Sequence, residues 1–221
     1  MARRLITGLD AGRVADKVAR VREDIAVSAM LAGRNPADVE LLAAVKYVAL
    51  DDLEVLAGTG LELLGENRAQ DLEAKAAAHP GAFRWHFIGQ LQSRRVRTLL
   101  PYVELIHSLA SDSASEQLGR HAPAGCEVLV EVNVAGERSK AGIMPAELGD
   151  FIARCPARVT GLMTMPPPAE DPRASRRHFA ALRTLATEHG LSQLSMGTSQ
   201  DYAIAVEEGA TIVRVGAVLF D

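Results

Sequence analysis

Apolar and polar positions follow two rhythms along this chain. Across residues 10–32, Val14, Val18, Val21, Ile25, Val27 and Leu31 recur near helical spacing with charges between them, and Gly33 with Asn35-Pro36 closes the run. That pattern predicts a long amphipathic helix. Beyond it, apolar runs of strand length alternate with amphipathic helical stretches. VELLAAVK (39–46) precedes a helix from Asp51 or Asp52, LELLG (61–65) one through RAQDLEAKAAA, RWHFIG (84–89) one over QSRRVRTLL, and VELIHS (103–108) one over SDSASEQLGRHA. CEVLVEVNV (126–134) leads through the loop AGERSKAGIM to PAELGDFIARC, and RVTGLMTM (158–165) leads through PPPAEDP to a helix from Arg173 to His189. LSQLSMG (191–197) precedes the helix SQDYAIAVEEG, and TIVRVGAVLF (211–220) reads as the last strand.

Eight strands, nearly every one followed by a helix, is the count of a (β/α)8 barrel of the TIM type, with the N-terminal helix in the place of the missing last one. An open doubly wound sheet shows the same alternation and stays as the alternative. The first strand is followed by YVALDD rather than by G-x-G-x-x-G, and G-x-x-x-x-G-K-[ST] occurs nowhere, which argues against dinucleotides and against a phosphate-loop nucleotidase.

Composition sharpens this picture only in part. With 221 residues, 48% of them hydrophobic, one α/β domain over 1–221 can bury a full core. A net charge of −4 gives no basic face for nucleic acid. Cys126 and Cys155 form neither a CxxC pair nor a zinc-ligand cluster and read as core thiols of a reducing compartment. The N-terminal segment lacks the apolar core of a signal peptide, and no stretch has the length and apolarity of a membrane span. The expectation is a soluble, cytoplasmic protein.

Candidate chemistry gathers at the strand ends, where a parallel barrel builds its ligand site. Lysine is scarce: only Lys17, Lys46, Lys75 and Lys140 are present. Lys46 stands in the apolar run LLAAVKYV, where loss of hydration favours the neutral, nucleophilic amine; the alternative is a strand-end lysine whose head reaches water. In SMGTSQD, Gly197 allows close backbone approach, Thr198 and Ser199 add hydroxyls, and a helix from about Ser199 offers N–H groups to a phosphate. VRVG follows on strand eight, with Arg214 as a fixed charge and Gly216 opening space; a plain N-cap at Ser199 and a bend at Gly216 are the competing readings. A phosphate cradle across a barrel mouth from a lysine points to pyridoxal 5′-phosphate (PLP), whose aldehyde forms a Schiff base with lysine. An arginine rather than a carboxylate beside the pyridine nitrogen leaves the ring unprotonated and a weaker electron sink.

LLAAVK, GENRAQD, WHFIGQLQS, IHSLAS, VLVEVNVAGERSKAGI, GLMTM and LSMGTSQDYAIAVEEGATIVRVG, in this order, cover nearly the whole chain. Through them the sequence resembles the pyridoxal phosphate homeostasis protein family, related in fold to the N-terminal barrel of alanine racemase. The resemblance implies that Lys46 carries PLP covalently and that Ser199, the backbone of Met196, Gly197 and Thr198, and Gly216 hold its phosphate. It further implies that Arg214 lies near the ring nitrogen, that Asn67 and His86 line the ring, and that Ser195 supports the phosphate shell. The role it implies is binding, storing and delivering PLP as a monomer or weak dimer, with enzymes lacking their cofactor as recipients and no turnover reaction. A weakly active PLP-dependent racemase or lyase is the alternative, for which a β-rich second domain and an opposite-face tyrosine are wanting. A barrel kept as an interaction module is a third reading. Four positions depart from the family pattern: Val45 replaces a usual serine, Gln90 a usual histidine, and Arg94-Arg95 a usual Asn-Lys pair. Lys140, in the loop after strand five, is a candidate second aldehyde acceptor.

Overall fold

A computed structural model describes residues 5–137 and 141–221. Eight parallel strands close into a barrel in sequence order: β1 (Glu40–Ala44), β2 (Leu63–Glu66), β3 (Arg84–Phe87), β4 (Leu105–Leu109), β5 (Glu127–Glu131), β6 (Arg158–Met163), β7 (Gln193–Ser195) and β8 (Ile212–Val215). β1 pairs with β2 through Ala43 and Leu64 and with β8 through Leu42 and Arg214, which excludes the open sheet. The strands are short and apolar because both of their faces are covered.

Inside the barrel, Leu42, Leu63, Leu105, Leu129, Met163 and Ile212 form one small cluster, with Ile88 against it. The larger apolar layer lies between the sheet and the helices, where Phe87, Phe151 and Phe179 are fully buried. The helices are α1 (Ala11–Leu31), α2 (Leu53–Leu56), α3 (Ala69–Ala78), α4 (Val96–Leu99), α5 (Asp112–His121), α6 (Leu148–Arg154), α7 (Arg176–Glu188), α8 (Tyr202–Glu207) and α9 (Ala217–Phe220).

α1 packs against α8, α9 and α2, and so covers the β8–β1 side of the barrel that has no long helix after the last strand. Asp10 caps it by accepting from Arg13 N–H at 2.8 Å, and Gly33 (φ 69°) ends it. Val14, Val18, Val21 and Ile25 are its buried stripe, whereas Val27 and Leu31 are exposed near its C-terminal end. Two boundaries differ from the sequence reading. The apolar tail 211–220 is a strand only to Val215; it turns at Gly216 and ends as α9. α8 begins at Tyr202 rather than near Ser199, because Asp201 occupies its N-cap and accepts both the N–H (2.7 Å) and the hydroxyl (3.0 Å) of Thr198.

Among the described residues, no helix is long and apolar enough to cross a membrane. At the N-terminal rim of the barrel Arg84 spans Glu40 and Glu104, both at 2.8 Å, and Arg158 meets Glu127 at 2.9 Å. These exposed pairs contribute little individually. The chemistry lies at the other end.

Candidate functional site

A strand turns successive side chains to opposite faces. On β1 and the turn after it this puts Leu42 in the interior cluster and Ala44 and Lys46 on the wall of a cavity of about 1300 Å³ at the C-terminal mouth. β8 repeats the pattern with Ile212 in the cluster and Arg214 and Gly216 on the wall. Asn67, Thr198 and Ser199 line the same space, so six of the sequence candidates share one cavity.

Lys46 follows the end of β1 and lies in a turn closed by Val48 N–H donating to the Val45 carbonyl at 3.0 Å. The segment before α1 clamps this turn: Ile6 N–H donates to the Tyr47 carbonyl at 2.7 Å and Ala49 N–H to the Ile6 carbonyl at 3.0 Å. Lys46 is half-buried, with Nζ 5.1 Å from the centre of the Tyr47 ring, and is not the deeply buried lysine among the described residues. That one is Lys75, 6% exposed, whose Nζ donates to Glu66 Oε2 at 2.6 Å and to the Val45 carbonyl at 2.7 Å. Val45 points its fully buried side chain into the layer between sheet and helices. Its departure from serine therefore alters that layer and not the cavity.

The loop after β7 and the start of α9 line the same cavity as Lys46. Gly197 has φ 90°, and a Cβ there would meet Ala205 Cβ at 2.5 Å, so only glycine fits. Ser199 Oγ accepts the Gly216 N–H at 3.1 Å and joins the two segments. Among the described residues the N–H groups of Ser199 and Gln200 have no acceptor, and both residues line the cavity. The Thr198 N–H, by contrast, is held by Asp201.

Asn67 is set by Gly89, where a Cβ would fall 2.0 Å from the Asn67 carbonyl oxygen. Its own N–H donates to Glu66 Oε1 at 2.7 Å, while its Oδ1 is buried and has no partner among the described residues. Such an atom is costly unless a ligand supplies a donor.

Beneath the cavity runs a buried polar chain. Arg214 donates to Ser195 Oγ and, at 3.0 Å, to the Thr164 carbonyl; Ser195 Oγ lies 2.8 Å from His107 Nδ1, and His107 Nε2 lies 2.9 Å from His86 Nδ1. A guanidinium only donates, so Ser195 Oγ accepts from Arg214, while His107 joins Ser195 through Nδ1 to His86 through Nε2. Both imidazoles are neutral: burial, reinforced by Arg84, pulls His86 down to about 3, and burial, with His86 and Arg214 nearby, pulls His107 well below its ordinary value. Burial also lowers Arg214 to about 10, against the pull of Glu131 and Asp201. Glu131 faces the cavity with its carboxyl raised by burial and opposed by Arg214.

Four of the expected site residues do not line the cavity. His86 and Ser195 are buried below the cavity wall rather than on it, and they support Arg214. Met196 and Gly197 are likewise off the wall and shape the loop from behind. Lys140 lies outside the described residues. The sequence reading gave no structural role to Glu66, Lys75 or Asp201, although Lys75 follows Ala69 and Leu72 on the buried stripe of α3.

No protein-family model matches the chain. It is 39% identical over 93% of its length to the pyridoxal phosphate homeostasis protein of Aquifex aeolicus and 36% identical over 94% to that of Pseudomonas aeruginosa, covering 96% and 94% of those proteins. Among solved structures it is similar to PipY of Synechococcus elongatus PCC7942 with PLP bound, at 30% identity and a TM-score of 0.79, covering 94% of this chain and all of that one. Alanine racemase from Corynebacterium glutamicum, at 18% identity and a TM-score of 0.69, shares the fold; 99% of this chain matches 62% of that one.

Proposed function

Because the chain belongs to the pyridoxal phosphate homeostasis protein family, we propose that it carries PLP in the mouth cavity, stores it through Lys46 and delivers it to enzymes that lack their cofactor. One observation carries the reading. A half-buried lysine, two backbone N–H groups at Ser199 and Gln200 that no described residue accepts, and the unpartnered Oδ1 of Asn67 all meet in a single cavity.

When bound, PLP supplies an aldehyde carbon with which an amine condenses, releasing water. The residues of this chain supply everything else. Ser199, Gln200 and Gly216 hold the phosphate, with the Thr198–Asp201 contact fixing the loop from below. Asn67, Ile88, Met163 and Met165 line the same cavity and would border the ring. Arg214, kept in place by Ser195 and Thr164, would donate to the ring nitrogen. A donor at that position leaves the nitrogen unprotonated, which supports holding over carbanion chemistry. The carrier acts in the cytoplasm as a monomer or weak dimer.

Mixing the loaded protein with a cofactor-free PLP-dependent aminotransferase, in the presence of a scavenger of free aldehyde, tests the reading. The expected result is restored aminotransferase activity with matching loss of the carrier's visible absorbance. Loss of the α-proton signal from an amino acid incubated in D2O with the loaded protein, absent from Lys46→Ala, would instead make it a racemase-like enzyme.

A further inference from the structure

The deepest charged pair near the mouth does not touch the cavity, and its contacts explain why it is there. Glu66 is fully buried at the end of β2 and Lys75 is 6% exposed on α3. Each makes more contacts than the ion pair alone requires. Glu66 Oε1 accepts the N–H groups of Asn67 (2.7 Å) and Arg68 (3.3 Å), which fixes the cavity-lining Asn67 and the start of α3. Glu66 Oε2 is left to bind Lys75 Nζ at 2.6 Å. A second donation from Nζ goes to the Val45 carbonyl at 2.7 Å, the same oxygen that accepts Val48 N–H at 3.0 Å and closes the turn presenting Lys46.

We propose that Glu66 and Lys75 are positioning residues that hold Lys46 and Asn67 at a fixed separation across the wall, so that the Lys46 amine meets the aldehyde of a ligand already seated by its phosphate. The inference rests on the reading of Lys46 as the lysine that condenses with PLP. Hydrophobic residues would fill the same volume without the cost of burying two charges. What they cannot do is grip a carbonyl of one strand's turn and two N–H groups of the next. The condensation is a reversible amine addition with loss of water; it requires no oxidant, only an amine at the right place, and misplacement by an ångström is costly.

Lys75→Met alone strands a buried carboxylate and risks the fold. The double variant Glu66→Gln/Lys75→Met removes both charges and keeps an oxygen able to accept the Asn67 N–H. Two ligands separate seating from condensation: 4-deoxypyridoxine 5′-phosphate, which has the ring and phosphate but no aldehyde, and PLP, followed by absorbance and by borohydride fixation with peptide mass analysis. The double variant is expected to unfold cooperatively in urea and to bind the aldehyde-free ligand within about threefold of wild type, while the adduct at Lys46 forms at least about tenfold more slowly. An adduct rate equal to wild type overturns the proposal, as does equal weakening of both ligands. Absence of any Lys46 adduct in the wild-type protein would strike the underlying reading instead, and is recognised without the variant.

Discussion

The neutral histidine pair under the cavity makes the fold sensitive to acid in a calculable way. In the unfolded chain an imidazole titrates near 6.5, whereas His86 in the folded protein is drawn down to about 3 by burial first and by the Arg84 charge second. Below pH 6.5 the unfolded state therefore takes up a proton that the folded state refuses, and stability falls as the pH drops toward 3. The slope is about 1.4 kcal/mol per pH unit for each such histidine. Between pH 7 and pH 5, His86 alone thus removes about 2 kcal/mol, with a loss in the same direction from His107, which burial also holds neutral. Urea unfolding followed by far-ultraviolet circular dichroism at pH 7, 6 and 5 reads the wild-type slope. His107→Gln keeps an acceptor for Ser195 and a donor for His86 but cannot titrate. Its stability should fall less steeply than that of wild type over the same interval, because one of the two neutral imidazoles is gone. Carboxylates contribute to both slopes and cancel in the difference. Parallel slopes for wild type and variant would refute the neutral buried pair.

Other consequences follow from single contacts. Gly89→Ala drives a Cβ to 2.0 Å from the Asn67 carbonyl oxygen, so Asn67 must move and PLP uptake, read by absorbance titration, should weaken by at least about tenfold. Val45→Ser restores the usual family residue on the side away from the cavity; PLP affinity should stay within about twofold while the buried hydroxyl lowers stability by about 1–3 kcal/mol in urea. Arg214→Lys cannot reproduce the two-pronged donation to Ser195 Oγ and the Thr164 carbonyl, and urea unfolding should show a loss of about 1.5–3 kcal/mol.

Strand number and order were legible because buried parallel strands leave near-continuous apolar runs between helical stretches. Boundaries were not. TIVRVGAVLF looks like one strand, since an apolar run carries no periodicity to separate Ile212–Val215 from the helix Ala217–Phe220, and the break lies at Gly216. Ser199 was read as the start of α8 by its residue type, whereas Asp201 takes that place by bonding Thr198. Lys46, Asn67, Ser199, Arg214 and Gly216 share the cavity because all lie at or just beyond C-terminal strand ends. His86 was harder to place: it sits one layer deeper, hydrogen-bonded to His107 across neighbouring strands, a pairing invisible along the chain. An apolar run also made Lys46 look like the buried lysine. Burial followed helical spacing in α3 instead and fell on Lys75.

Peptide mass analysis after borohydride treatment of the PLP-saturated protein bears most directly on the proposal that Lys46 is the lysine that condenses with PLP. One reduced adduct, on the peptide that contains Lys46 and lost in Lys46→Ala, is the predicted outcome. An adduct carried mainly by Lys17, Lys75 or Lys140, or equal visible absorbance from the Lys46→Ala protein, would contradict it.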